Sequence, residues 1–292
     1  MTSYEKALIE QGGMDLHSHS FASDGQFKPK ELAKRAESAG LEILALTDHD
    51  TVAGVEEFMS AGQNLSLTTV PGVEISCQSG KKRFHILGYY IDWTRPKLKK
   101  RLNFFEQARA DRVRRMLEVL ARHTGIKISF DEVSRRAGKS LIGKPHVAQT
   151  LVAKGVVNST AEAFNQYLAH GRPLDKVPKE RMGVNEAIGL IKESGGVPVL
   201  AHPVLHEGKL DLKRLIGLGI EGLEVFYSDN QAEDSAHYWK LARKHDLIVT
   251  GGSDFHGSVK PEVKLGDIRV DSDFLQPLKQ ASRRAGGRLD IQ

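Results

Sequence analysis

One placement repeats along this chain and limits what it can become: short apolar runs, each of strand length, end in acids or histidines. MDLHSHSFASD carries Asp15, His17, His19 and Asp24, and LTDHD carries Asp48 and His49. Glu74 follows in PGVEIS, His85 in RFHILGYY, His146 in KPHVA, His202 in LAHP, and Asp254 and His256 in GGSDFHG. In parallel α/β folds, the side chains at the carboxyl ends of several strands converge on one mouth. Groups spread from Asp15 to His256 that share this position therefore point to a metal cluster at such a mouth. Dispersed in a packed core, each would carry a desolvation cost without a partner. Within DLHSHS, extended backbone aims Asp15, His17 and His19 to one side, so two imidazoles can share an ion.

Around these runs the sequence alternates as βα units do. GMDLHSH, EILALTDHD, TTVPGVEIS and KRFHILGYYI read as strands, and PKELAKRAESAG and TVAGVEEFMSAGQ as helices between them. After Asp92 the rhythm stops. TRPKLKK reads as a polar connection, and a long helix is expected from Leu102 to His123, with Val113, Met116, Leu117 and Leu120 on its apolar stripe. Further helices are expected in HVAQTLVAKG and in NSTAEAFNQYLAHG, where Ser159 and Glu162 have capping-box spacing. The βα rhythm returns with VNEAIGLIKESGG and VPVLAHP and runs to the closing helix LQPLKQASRRAG, before a short tail, GRLDIQ. The expected organisation is a barrel made of residues 14–97 and 186–288, interrupted by a mostly helical insertion over 98–185.

The 292 residues, 40% of them hydrophobic, can bury a large core without disulfides or an obligatory protein partner. Cys77 is the single cysteine, which excludes an internal disulfide and a thiolate metal site and implies a reducing, cytoplasmic setting. MTSYEKALIEQGG has no apolar core of a leader, and no segment reaches the roughly 18 apolar residues of a membrane span. The net charge of +5 is modest, but Lys97 to Lys144 holds 14 Lys/Arg against 5 Asp/Glu, either a solvated helical face or a surface for nucleotide phosphates. Neither GxGxxG nor a P-loop is present, so nucleotide binding of those kinds lacks its local signal.

All the candidate ligands offer nitrogen or oxygen, and they are too numerous for one tetrahedral ion. With a bridging carboxylate such as Glu74 they suit two or three divalent ions, Mn²⁺, Zn²⁺ or Fe, and ligand types do not select among these, although Mn²⁺ is the expected ion. So many imidazoles disfavour an all-carboxylate Mg²⁺ site.

The series DLHSHS, Asp24, TDHD, GVEIS, HILGYY, AHP and GSDFH closely resembles the PHP (polymerase and histidinol phosphatase) superfamily. The likeness covers residues 14–95 and 195–285. KPHVAQTLVAKG and FNQYLAHGRP resemble the subgroup of nucleoside 3′,5′-bisphosphate phosphatases and the 5′→3′ exoribonuclease RNase AM. The resemblance implies a distorted (β/α)7, TIM-like α/β barrel with a trinuclear centre that hydrolyses phosphate esters. It implies one metal on His17, His19, Glu74 and Asp254, a second on Asp24, His49 and His256, and a third on Glu74, His85 and His202. Asp15 and Asp48 fall where the family has acids that orient histidines. Lys144, His146 and Arg172 fall where it contacts the substrate phosphate. Here the chain departs from the subgroup, with Gly143-Lys144-Pro145-His146 for S-R-x-H and Gly171-Arg172-Pro173 for G-K-P. Lysine keeps the charge of the arginine without its two-pronged geometry.

The expected chemistry is hydrolysis by a metal-activated water or hydroxide, with no serine or cysteine nucleophile and with the general acid unassigned. The expected substrates are a nucleoside 3′,5′-bisphosphate, losing its 3′ phosphate, or short 5′-phosphorylated RNA degraded 5′→3′. Phe130, Phe164, Tyr167 and Phe255 read first as packing and second as base-stacking residues. The competing readings are a small-metabolite phosphatase, such as a histidinol phosphatase, and a non-catalytic, metal-stabilised nucleic-acid-binding module.

Overall fold

Three parallel strands come first, each from an apolar run. In the computed structural model, which describes residues 4–138, 141–206 and 210–287, β1 (Met14–Asp15), α1 (Pro29–Ser38), β2 (Ile43–Leu46), α2 (Val55–Gly62) and β3 (Thr68–Ser79) follow in order. Pro29 starts α1, where a missing N–H costs nothing, and Leu32, Ala33 and Ala36 form its buried face. Every residue of β2 is buried, as in a strand covered on both faces. Met14 lies opposite Ile43 and Leu46 opposite Pro71, which sets the register.

β4 (Lys82–Tyr89) reverses direction and forms an antiparallel hairpin with β3. Gly80, at φ 60°, supplies the left-handed residue that so tight a turn requires. Because Ser76 pairs with His85 and Glu74 with Leu87, His85 comes diagonal to Glu74 on one face.

The chain divides into two compact units, one of residues 1–100 and 182–292, the other of 101–181. α3 (Pro96–Thr124) begins at Pro96 rather than at the expected Leu102, because proline is tolerated in a first helical turn and the lysines after it are good helix formers. In the second unit follow α4 (Phe130–Ala137), α5 (Lys144–Ala153) and a single turn, α6 (Thr160–Ala163), which passes into a π-helical stretch at Phe164–Leu168. The Ser159 hydroxyl accepts from the Glu162 N–H at 3.1 Å, while the Glu162 carboxylate accepts from the Asn158 N–H at 2.7 Å. Val113, Met116, Leu120, Val133, Leu151 and Leu168 give this unit its own apolar core.

In the first unit, β5 (Met182–Gly183) pairs with β3 and leads into α7 (Val184–Glu193). β6 (Val197–Leu200) is antiparallel to β4, and β7 (Gly222–Tyr227) and β8 (Ile248–Gly252) continue in parallel. The connecting helices are α8 (Leu212–Leu218) and α9 (Ala232–Lys244), and α10 (Leu275–Arg284) follows β8. The sheet nearly closes where the Leu16 N–H donates to the Gly251 carbonyl at 3.1 Å, with a further bridge between Ser18 and Phe255. Seven strands lie on this path, β1-β2-β3-β4-β6-β7-β8, and β5 lies off it. This is the distorted α/β barrel that the resemblance implied. At the seam, a Cβ on Gly252 would lie 2.4 Å from the His17 Cβ, so glycine is what lets β8 approach β1.

Among the described residues no helix is long and apolar enough to cross a membrane. Beyond Gly287, the remainder of the expected tail GRLDIQ, residues 288–292, lies outside the described residues.

Candidate metal centre

Strand ends bring the histidines and acids together. His17 and His19 follow β1, His49 follows β2, Glu74 lies within β3 and His85 within β4, His202 follows β6, and Asp254 and His256 follow β8. Glu74, fully buried, stands in the middle. Its Oε2 is 3.3 Å from His17 Nε2, 3.2 Å from His19 Nε2 and 3.0 Å from His49 Nδ1. Its Oε1 is 2.8 Å from His85 Nδ1 and 2.9 Å from His202 Nε2. Asp254 Oδ1 lies 3.0 Å from His19 Nε2 and 3.4 Å from His17 Nε2. At the rim, the half-exposed Asp24 is 3.3 Å from His256 Nε2 and 3.9 Å from His49 Nε2.

These donor atoms form three overlapping groups: His17, His19, Glu74 and Asp254; His19, Asp24, His49 and His256; and His49, Glu74 and His85. Within each group the ligand atoms lie within 4.8 Å of one another. The clusters suit divalent cations, and a second observation supports the fit. His17 Nε2, both ring nitrogens of His19, His49 Nδ1 and Glu74 Oε2 are buried without a hydrogen-bond partner, although several lie 3.0–3.4 Å from an oppositely charged atom. The short approaches do not qualify as hydrogen bonds, so these atoms face one another across the cluster without a satisfied partner. Buried polar groups are rarely left so, and a cation among them satisfies several at once.

Electrostatics favours the same occupant. Burial alone raises the pKa of Glu74, but His49, His85 and His17 hold it well below the carboxylate range. Burial likewise opposes ionisation of Asp254, and His17 and His19 overcome it. Conversely, burial disfavours charge on His17, yet Glu224, Glu74 and Asp254 raise its pKa well above the imidazole range. Without a metal, the buried acids are held toward their ionised form, and His17, His19 and His49 toward their protonated form, while burial pushes His85 and His256 the other way; a cation supplies the same positive charge.

Asp15 and Asp48 bond backbone and hydroxyl groups rather than imidazole rings, and Asp15 accepts the His17 N–H at 3.3 Å. Asp15 accepts from the Ser253 N–H (2.9 Å), the Ser253 hydroxyl (2.6 Å) and the Gly266 N–H (2.9 Å). Asp48 accepts from the Ser20 N–H (2.7 Å) and from the hydroxyls of Ser20 and Ser23 (2.6 Å each). Both therefore brace the loops that carry the candidate ligands; neither holds an imidazole. The acid that does is Glu224 of β7, whose Oε1 is 2.9 Å from His17 Nδ1 and whose Oε2 accepts the His202 N–H at 2.7 Å. Sequence reasoning passed over it, although an acid inside the otherwise apolar GLEVFY is a signal. Tyr227 and Lys260 were also missed: the Tyr227 hydroxyl is 3.1 Å, and Lys260 Nζ 2.5 Å, from Asp254 Oδ2. Two candidate ligands have positive φ without being glycine, His202 at 26° and Asp254 at 58°. Such strain persists where surroundings fix it, commonly at functional sites.

The expected phosphate contacts lie in the second unit. Lys144 starts α5, with Nζ 2.6 Å from both the Leu168 carbonyl and Asp175 Oδ1. His146 Nδ1 accepts the Gly143 N–H at 3.1 Å. Arg172 is exposed, in a turn tied down by the Gly171 N–H donating to Asp175 at 3.3 Å. Of the four aromatics, Phe164, Tyr167 and Phe130 pack against this unit's core, with Arg114 3.8 Å above the Phe130 ring. Phe255, in the other unit, is buried against Phe27.

A family model described as the PHP domain matches residues 15–168, more than half of the chain. The chain belongs to the PHP family. Among its PHP relatives, a 3′,5′-nucleoside bisphosphate phosphatase of Chromobacterium violaceum is 34% identical over 249 residues, 83% of this chain and 87% of that protein. A 5′-3′ exoribonuclease of Escherichia coli is 35% identical over 261 residues, 86% of this chain and 87% of that protein. A solved protein of Bifidobacterium adolescentis matches with TM-score 0.81 at 32% identity, covering 94% of this chain and 97% of its own. The PHP chain described here is thus a metal-binding phosphoesterase, related to the bisphosphate phosphatase and RNase AM subgroup.

Proposed function

We propose that this PHP phosphoesterase acts at nucleotide ends, removing the 3′ phosphate of nucleoside 3′,5′-bisphosphates and releasing mononucleotides 5′→3′ from short 5′-phosphorylated RNA. The observation that carries the reading is the clustering of His17, His19, His49, His85 and His202 about the Glu74 carboxylate, with Asp254, Asp24 and His256 beside those histidines. Both reactions recognise a terminal phosphate beside a scissile one, so one site can serve both.

Two or three divalent cations, Mn²⁺ in the first place, would supply activated water and neutralise charge on phosphoryl oxygens. The chain's own residues do the rest. Glu74 presents one oxygen to His17, His19 and His49 and the other to His85 and His202, so it is placed to be shared between cations. Tyr227 and Lys260 hold Asp254 Oδ2, which leaves Oδ1 facing His17 and His19. Arg172, exposed and planar, suits two phosphate oxygens. Lys144 is already paired with Asp175 and serves better to order that turn; His146 begins the same helix.

One feature favours an oligonucleotide over a mononucleotide. Arg112 donates from Nε to the Val177 carbonyl at 3.0 Å. Burial lowers its pKa, Asp175 opposes this, and Arg181, Arg109 and Arg115 lower it further. Like charges gathered in this way suit a polyanion.

The test is product analysis of Mn²⁺-loaded protein on nucleoside 3′,5′-bisphosphate, histidinol phosphate and 5′-phosphorylated RNA. The proposal expects nucleoside 5′-monophosphate from the first and stepwise mononucleotides from the third. Turnover of histidinol phosphate alone would replace it with a small-metabolite phosphatase. RNA binding without turnover of any ester would replace it with a binding module.

A further inference from the structure

We infer that Glu224 is a positioning residue that ties His17, a member of one candidate ligand group, and His202, which stands beside His85 of another, to one carboxylate, so that the two sides of Glu74 fill together. The inference rests on the assignment of the cluster as metal ligands and goes beyond it, since Glu224 belongs to none of the three groups.

Glu224 is fully buried in β7, where an ionised carboxylate is tolerated only if its oxygens are bonded. Each oxygen has a different task. Oε1, 2.9 Å from His17 Nδ1, favours a proton on that nitrogen. Nε2, which faces Glu74 and Asp254, is then the nitrogen that can turn a lone pair to a cation, the tautomer that a ligand must have. Oε2 holds the His202 N–H at 2.7 Å. His202 sits at φ 26°, ψ 64° directly before Pro203, a strained backbone region that the following proline disfavours. The bond to Glu224 fixes this residue, and its Nε2 then lies 2.9 Å from Glu74 Oε1 and 3.2 Å from His85 Nδ1.

His17 belongs to the group with His19 and Asp254, whereas His202 stands beside His85 on the other oxygen of Glu74. Glu74 joins the two from within the cluster, and Glu224 joins them from behind. A glutamine cannot replace it. If the Gln carbonyl accepts from His202, its NH₂ faces His17 Nδ1 and drives the proton to Nε2, which blocks ligation. If the carbonyl faces His17, the NH₂ opposes the His202 N–H donor to donor.

The test loads metal-free wild type, Glu224→Gln and Glu224→Ala with Mn²⁺ and follows bound metal by elemental analysis and EPR, with circular dichroism to verify folding. Wild type is expected to bind at least two ions, with an exchange-coupled EPR signal. Both variants are expected to fold, to bind at least about tenfold more weakly, and to lose the coupled signal. A folded variant that keeps wild-type stoichiometry, affinity and coupling overturns the inference, even if its melting temperature falls. If Glu224→Ala does not fold, Glu224→Gln, of equal size, decides alone. Wild type that takes up no Mn²⁺ would overturn the metal assignment and the inference with it. Wild type that binds a single uncoupled ion would overturn the inference only.

Discussion

Lys260 Nζ lies 2.5 Å from Asp254 Oδ2, while the other oxygen of that carboxylate faces His17 and His19 at 3.4 and 3.0 Å. The lysine and the Tyr227 hydroxyl fix a residue whose backbone is already in the left-handed region. Lys260→Met is therefore expected to weaken metal binding by about 10–100-fold, with Lys260→Arg recovering part of it. Calorimetric titration of the metal-free variants checks this. Unchanged affinity in Lys260→Met would show that Tyr227 alone suffices.

Protons and metal compete for the same atoms. In the metal-free cluster, burial disfavours charge on His19, but Asp254 and Glu74 raise its pKa to about 10, and His17 is raised as well. A raised pKa means that the proton is bound below that value and lost above it. Between the ordinary imidazole pKa near 6.5 and about 10, metal binding must therefore expel protons. Titrations at pH 8 in buffers of different ionisation enthalpy are expected to show net proton release, and apparent affinity should rise as pH rises through this window. Release of no protons at pH 8 would contradict the arrangement.

Much of the site is legible in the sequence because metal chemistry breaks the hydrophobic pattern. His17, His49, His202 and Asp254 announce themselves as polar residues ending apolar runs. Glu224 does not, since one acid within GLEVFY leaves the strand pattern intact, and its partners are 207 residues away in His17 and 22 away in His202. The reversal of β4 was hidden for a related reason: periodicity identifies a strand without giving its direction. The π-helical stretch at Phe164–Leu168 follows no spacing that local propensity specifies. Lys144 falls at an expected phosphate-contact position, but its partner Asp175 lies 31 residues on and becomes visible only in the fold.

On the proposed reading, Arg172 and Asp254 are expected to have separable roles. Asp254→Ala removes a candidate ligand and is expected to lower bound metal and turnover together, by at least about a hundredfold in rate. Arg172→Ala is expected to keep metal stoichiometry but to lose about 10–100-fold in kcat/KM for nucleoside 3′,5′-bisphosphate, the scale of one charge-assisted contact. Steady-state kinetics beside elemental analysis separates the two. Wild-type kinetics in Arg172→Ala would remove it from substrate binding.

Cys77 reports on the β3–β4 hairpin. It is buried, with its thiol 3.5 Å from the Phe84 carbonyl. Burial, and after it the negative charges of Asp50 and Glu74, push the thiol pKa well above its ordinary value. The thiolate is the reactive form, so native protein is expected to resist a disulfide reagent that titrates one thiol at once in denaturant. Rapid native labelling would mean that the hairpin carrying Glu74 and His85 opens readily.

Gly252 and Gly217 give opposite expectations for the same change. At the barrel seam, a Cβ on Gly252 would lie 2.4 Å from both the Cβ and the backbone nitrogen of His17, with no flexible side chain to yield. Gly252→Ala must therefore displace β1 from β8, at a cost of about 1–3 kcal/mol typical of overpacking. At about 2–4 °C per kcal/mol for a domain of this size, the melting temperature should fall by several degrees. Because the displaced residue is His17, metal affinity should fall as well. Gly217 lies within α8 with open space about its Cβ and no positive φ, so Gly217→Ala should stabilise by about 1 kcal/mol through helix propensity and leave metal binding unchanged. Melting curves with chelator and with Mn²⁺ distinguish the cases. In Gly252→Ala the gain in melting temperature on adding Mn²⁺ should shrink, because less binding free energy is added to the folded state, whereas in Gly217→Ala it should match wild type. An undiminished gain in Gly252→Ala would show that His17 tolerates movement of the seam, and that the barrel's closure does not set the geometry of the centre.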